Sequence, residues 1–186
     1  MKRHLILPLL LLCSLTAGAQ RTSDGERLLS LSGISTLSHW GGEVVYGRYF
    51  LRGYWIAGAA LTDRVERDVP SGETVHYPRL EGRGGCLYRL AGGYSRRLNL
   101  YVGGDAFVGV EMLDLHGILS ETTLRTLHNG GVNDYQFIYG AAPRVELELF
   151  LLRTLALTAG GRAPLTFGSP LPLLGWEVSA GLRLNF

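Results

Sequence analysis

Residues able to do chemistry are few and scattered along the chain. Beyond the first twenty positions the histidines are His39, His76, His116 and His128, all in segments read below as connections or strand edges. Asp114 and His116, with Glu111 near them and Ser120 a few positions on, supply the types of an acid–base pair with a hydroxyl nucleophile. Such a mechanism needs base and nucleophile within hydrogen-bond reach, and a third group that orients the base. One polar connection holding Asp, His and Ser meets the composition of that device but not its spacing, so solvated loop residues are expected, with a small hydrolase as the alternative. No HExxH, paired CxxC or P-loop sequence occurs, which leaves metal hydrolysis and nucleotide chemistry unsupported. Gly103-Gly104, Gly130-Gly131 and Gly160-Gly161 read as close-packing or turn positions rather than phosphate cradles. No catalytic residue, cofactor or metal site is therefore expected.

The remaining ionisable residues follow a pattern of their own. Arg144, Glu146 and Glu148 alternate with Val145, Leu147 and Leu149; Glu177 and Arg183 alternate with Trp176, Val178, Ala180, Leu182, Leu184 and Phe186. Arg79, Glu81, Arg83 and Arg89 alternate with Leu80, Gly82, Gly84, Cys86, Tyr88 and Leu90. A period of two places one set on each face of a β-strand, here one apolar face and one largely polar face. Cys86, on the apolar face, reads as an inert small hydrophobe.

Reading the whole chain this way gives eight strands, near 28–38, 42–51, 53–65, 77–90, 97–112, 135–150, 154–167 and 175–186. Strands two and three do not alternate cleanly, and their faces stay unassigned. Connections after strands two, four and six are tight, whereas 66–76 and 114–134 are long and polar and 168–174 is also longer; only Ser38 to Gly42, after strand one, is short on that side. Short turns at one end and longer loops at the other are the arrangement of an outer-membrane barrel with its short turns toward the periplasm.

Composition agrees. The chain has 186 residues, 26 of them Gly, with 46% hydrophobic and 18% charged residues, which excludes disorder and favours one β domain. Lys2 and Arg3, the apolar run Leu5 to Cys13 and the small residues Ala17-Gly18-Ala19 read as a secretory signal peptide, residues 1–19, cut before Gln20. The domain is then 20–186, with Cys86 as its one cysteine and no internal disulfide. Its arginines and carboxylates balance, so nothing points to direct nucleic-acid binding.

A water-soluble sandwich or lipocalin-like barrel would turn the apolar faces inward. The polar faces would then meet water and the core would be ordinary, but an eight-stranded barrel holds only side chains or one small ligand. Placing Arg83, Arg89, Arg144, Arg162 and Arg183 opposite Glu81, Asp105, Glu111, Glu146, Glu148 and Glu177 across a membrane barrel's lumen lets them pair, while the other face meets lipid. The expected architecture is an all-β, eight-stranded, antiparallel up-and-down outer-membrane β-barrel, with Arg144, Glu146, Glu148, Arg162, Glu177 and Arg183 as a lumen charge network. Tyr54, Trp55, Tyr77, Tyr94, Tyr135, Phe137, Phe167, Trp176 and Phe186 suit interfacial girdles. Trp176 and Phe186, on the last strand, suit the signal read by barrel insertion machinery.

With these elements in place the chain resembles the TraO family of conjugative-transposon proteins from Bacteroides-type bacteria. The resemblance lies in Ala19-Gln20-Arg21, in Gly93-Tyr94-Ser95 leading to Leu100-Tyr101-Val102-Gly103-Gly104, in Phe137-Ile138-Tyr139-Gly140-Ala141-Ala142-Pro143-Arg144 running into Glu146-Leu147-Glu148, and in Gly181-Leu182-Arg183-Leu184-Asn185-Phe186. It implies an outer-membrane component of the envelope-spanning apparatus that moves DNA between cells of Gram-negative bacteria, with a structural or assembly role. The partners implied are outer-membrane lipid, the insertion machinery and other conjugation-apparatus proteins, and no catalytic residue is carried over. A general OmpX-like surface or adhesion barrel is the alternative outside conjugation.

Overall fold

The structure, a computed structural model, describes residues 24–36, 40–66, 75–92, 97–113, 125, 128–129, 133–170 and 173–186. The segment 1–19, Asp114, His116, Ser120 and most of the two long connections lie outside them. The elements are β1 (Arg27–Ser35), β2 (Trp40–Phe50), β3 (Gly53–Glu66), β4 (Val75–Ala91), β5 (Leu98–Met112), β6 (Tyr135–Phe150), β7 (Leu155–Arg162), β8 (Leu165–Phe167) and β9 (Glu177–Asn185).

Strands β1 to β5 each pair antiparallel with the next, β6 also pairs with β7 and β8, β7 pairs with β9 and β9 with β1, so the sheet closes on itself. The seventh strand read from sequence as 154–167 is divided into β7 and β8. Both halves pair with β6 in one continuous register, Arg144 with Arg162 and Ala141 with Leu165. Pro164 stands between them and has no N–H to give the ladder, which interrupts the strand without shifting it. The result is a closed, eight-stranded antiparallel barrel of the outer-membrane type. Closure gives every strand two strand partners except the three-residue β8, which pairs with β6 and is bridged on its other side only at Leu165–Leu174.

Two rims follow from the connections. Leu51 and Arg52, residues 92–97 and residues 151–154 turn the chain at one end, and Arg27 and Phe186 meet there, each amide donating to the other's carbonyl at 2.8 and 3.0 Å. The strand ends that the longer connections join, Glu66 with Val75 and Met112 with Tyr135, are paired at the other end.

Alternation sorts the side chains through the wall. In β9, Val178, Ala180, Leu182 and Leu184 face outward, and Glu177, Arg183 and Asn185 are buried. In β6, Val145, Leu147 and Leu149 face outward opposite buried Arg144, Glu146 and Glu148. In β4, Leu80, Cys86, Tyr88 and Leu90 are exposed on the outer wall while Arg79, Glu81 and Arg83 are buried. The apolar residues are thus outside and the charges inside, the reverse of a soluble barrel.

Strands β2 and β3 obey the same rule, although their sequence hides it. Their inward positions include Val45, Tyr49, Tyr54, Ile56 and Ala60, and their outward ones include Val44, Tyr46, Trp55 and Leu61, so both faces are apolar. The reason is the floor of the lumen. Leu28, Val45, Tyr49, Tyr54, Ile56, Leu87 and Tyr101 pack there as one cluster at the short-turn rim. Two of the aromatic residues read as girdle candidates point inward instead: Tyr54 belongs to this floor, and Tyr77, near the other end of β4, is also buried in the lumen. Trp55, Tyr135, Phe137, Phe167, Trp176 and Phe186 are on the outer wall, and Tyr94 lies outside the described residues.

Candidate functional site

The lumen of this barrel is filled from floor to upper rim by one connected column of charge. Three tyrosines begin it. Their rings meet edge to face, Tyr49 on Tyr54 at 5.4 Å and Tyr54 on Tyr101 at 4.8 Å between centroids. Their hydroxyls point up into the first carboxylates: Tyr49 and Tyr101 donate to Glu148 at 2.5 and 3.1 Å, and Tyr54 donates to Glu146 at 2.5 Å. Tyrosine suits this boundary because its ring packs with the floor while its hydroxyl satisfies an ion.

Arg183 joins the two glutamates. It donates to Glu148 at 3.0 Å, to Glu146 at 2.6 Å and to the Ser30 hydroxyl at 2.8 Å, and its guanidinium lies 4.7 Å over the Tyr54 ring. Glu146 also accepts from Arg144 at 3.2 Å. Arg144 in turn reaches Glu43 at 2.9 Å, which Arg83 contacts from the other side at 2.6 Å.

Above Glu43 the column widens. Arg83 also donates to Glu81 at 2.8 Å and Glu177 at 3.1 Å. Glu177 is shared with Arg162 at 3.0 Å, and Arg162 closes on Asp105 with contacts of 2.7 to 3.1 Å. Arg79 pairs with Glu81 and stands 3.6 Å from Glu111. Phe107 is held between two cations, its ring centroid 5.0 Å from Arg79 and 4.7 Å from Arg162. At the upper rim the Ser169 hydroxyl donates to Glu111 at 2.6 Å.

This arrangement answers the energetic problem of burying ions. Each costs several kcal/mol to dehydrate, so a carboxylate or guanidinium is tolerated only when its remaining lone pairs or protons are met. Arginine fits because its planar fork carries five donors, enough to touch two or three carboxylates at once. Glycines at inward positions make the room. A Cβ at Gly85 would come within 2.8 Å of the Asp105 Cβ, and one at Gly160 within 3.2 Å of the Ser179 hydroxyl. The space left among Ile34, Glu43, Arg83, Arg144, Arg162, Glu177 and Ser179 is about 10 Å³, the room of one water. The column is a plug rather than a channel.

All six residues read from sequence as a lumen network, Arg144, Glu146, Glu148, Arg162, Glu177 and Arg183, lie in this column, as do Glu81, Arg83, Asp105 and Glu111. Arg89 is half-buried nearer the short-turn rim and donates to the Leu51 carbonyl. Sequence reading placed Arg79 on the polar face of its strand but left it out of the lumen set, and it missed Glu43 and the lumen place of the three tyrosines. Arg79 shares the parity of Glu81 and Arg83, which was signal enough; Glu43 sits on β2, where the apolar floor erases the alternation. Trp176 and Phe186 are not brought together. Both are exposed on the outer wall, at opposite ends of the last strand.

The acid–base candidates take other places. Glu111 is held within the column by Ser169 and Arg79. His76 lies 2.9 Å from Asp63, and His128 lies 2.9 Å from Asp134. The tyrosine hydroxyls donate to Glu146 and Glu148 and to neither of these pairs. Among the described residues no group of three His, Cys, Asp or Glu side chains is placed to hold a metal ion.

The sequence matches the family described as conjugative transposon protein TraO over residues 26–186, the entire described barrel except its first two residues. The chain belongs to the TraO family. Among curated proteins, none matches this TraO-family sequence. Solved structures share its fold. Neisserial surface protein A superposes with a TM-score of 0.56 at 13% identity, covering 87% of this chain and 95% of that one. The N-terminal β-barrel domain of Pseudomonas aeruginosa OprF gives 0.54 at 14% identity, covering 89% and 100%. Ail, the attachment invasion locus protein of Yersinia pestis, gives 0.52 at 14% identity, covering 88% and 100%. At these identities the likeness is one of architecture, and the TraO barrel carries its own lumen.

Proposed function

We propose that this TraO-family chain is an outer-membrane component of a conjugative transposon's transfer apparatus, in which it serves a structural or assembly role without catalysis. The observation that carries the reading is the family match along the whole barrel. Two features of the molecule support the details. An apolar outer wall suits lipid, and a lumen closed by ion pairs suits a rigid post rather than a conduit for DNA. In this reading the short-turn rim faces the periplasm and the connections 67–74 and 114–134 are the surfaces offered to partner proteins or to the recipient cell. The row from Trp176 to Phe186 serves as the segment by which the insertion machinery takes up the barrel.

The test is the transfer frequency of the mobile element from donors lacking this gene, with and without a restoring copy. Transfer is expected to fall in the deletion and return with the copy. Unchanged transfer in the deletion would contradict a role in the apparatus and favour a general surface barrel. Loss of transfer that a Glu43→Gln copy restores, but a copy with an altered 114–134 connection does not, would locate the role in partner contact.

A further inference from the structure

The near-zero net charge of the barrel conceals a separation of charge between its rims. Arg27, Arg48, Arg52, Arg97 and Arg153 stand around the short-turn rim, where the described carboxylates are Asp24 and Glu26. No carboxylate among the described residues is within ion-pair distance of any of these five guanidiniums. The long connections at the other rim, 67–74 and 114–134, carry Asp68, Glu73, Asp114, Glu121 and Asp134 against Arg67 and Arg125.

Two of the arginines are placed in a way that strand pairing alone does not favour. Arg27 and Arg48 are direct partners across β1 and β2, and both are exposed on the outer wall. Like charges in this position repel each other. The Arg48 Nε donates to the carbonyl of Gly25, a turn glycine with φ of +92°, at 3.1 Å, which holds the guanidinium at the short-turn rim two residues before Arg27. Directly above them the outward pairs are Leu29 with Tyr46 and then Leu31 with Val44, all exposed, and Trp55 flanks Arg48 with its ring 5.8 Å from that of Tyr46. From the rim inward the wall therefore reads cation pair, aromatic edge, aliphatic surface.

We propose that Arg27 and Arg48 form a seat for the phosphate of an anionic phospholipid in the leaflet at the short-turn rim, with its acyl chains lying on Leu29, Leu31, Val44 and Tyr46. The inference rests on the reading of the chain as a membrane-spanning barrel. Two arginines paired side by side on one outer face offer a phosphate's oxygens several donors, and an anion bound there removes their repulsion. A second place repeats the pattern: an open groove of about 580 Å³, lined by Ala91, Gly92, Leu98, Leu100 and Leu147, has Arg97 at its edge. Cations spread around the circumference suit an annulus of headgroups, whereas a protein docked on one side would be met by a cluster.

The experiment uses the full barrel reconstituted in bilayers of phosphatidylcholine with a graded share of phosphatidylglycerol, reading headgroup selectivity from spin-labelled lipids. The wild type is expected to prefer phosphatidylglycerol several-fold, with the preference weakened by salt. In the Arg27→Gln, Arg48→Gln double variant that preference should fall toward parity, and Arg48→Lys should keep most of it. Retained heat-modifiable migration on gels shows that each variant is folded; the salt dependence of the wild type stands even if the double variant fails to fold. Equal occupancy by both lipids in the wild type, or full selectivity in the double variant, would overturn the proposal. So would absent lipid selectivity in a barrel that instead retains a soluble polyglutamate peptide, which assigns the rim to an acidic protein. Failure of the wild type to enter the bilayer at all would count against the membrane reading instead.

Discussion

Arg183 shows how much of this molecule hangs on single side chains. It is almost fully buried and touches Glu146, Glu148, Ser30 and the face of Tyr54. Removing it takes from Glu148 its one cation among the described residues, leaving it the Tyr49 and Tyr101 hydroxyls, and leaves Glu146 to Arg144 and Tyr54; losing one member of a buried pair costs roughly 3–5 kcal/mol. Arg183→Met is expected to lower unfolding stability by about that amount, measured by urea denaturation of the folded barrel in detergent. A change below ~1 kcal/mol would mean that the remaining tyrosine and Arg144 donors satisfy Glu146 and Glu148 without Arg183.

At the scale of the strand, the governing rule is the period of two. Leu31, near the middle of β1, faces outward and is 64% exposed. Placing a guanidinium there sets it against hydrocarbon, which costs roughly 2–4 kcal/mol at a bilayer midplane. Leu31→Arg is expected to reduce the folded fraction in lipid vesicles, while the same change at Leu152, in a short turn, leaves it unchanged. Equal effects at the two positions would mean that the wall of β1 does not face lipid.

The same rule explains what the sequence could and could not disclose. In β4, β6 and β9 every inward charge is flanked by outward apolar residues, so faces and lumen members were readable without coordinates. In β2 and β3 the inward positions carry Val45, Tyr49, Tyr54 and Ile56, because the lumen changes from charged to aromatic near the short-turn rim. Alternation of type then vanishes although alternation of direction persists, and Glu43 is lost with it. Tyr54 and Tyr77 mislead for a related reason: aromatic residues near strand ends suit a girdle or a floor equally well, and only the register decides. Pro164 marks the break between β7 and β8 plainly in the sequence, but its retention of register depends on pairing with β6.

For the whole molecule, the wall and the plug are one design. Ions that would destabilise a small soluble core become the means of filling a lumen whose outside is committed to lipid. The plug also leaves the barrel rigid and closed, which in the proposed role makes its rims and connections, not its interior, the parts that meet partners. All of this depends on the apolar face pointing into a membrane. The measurement that tests it most directly is fractionation of the cell envelope, with the outer-membrane fraction run on a detergent gel before and after boiling. The protein is expected in that fraction, with a mobility that changes on boiling as a folded barrel opens; its recovery as a soluble periplasmic protein with one mobility throughout would contradict the account.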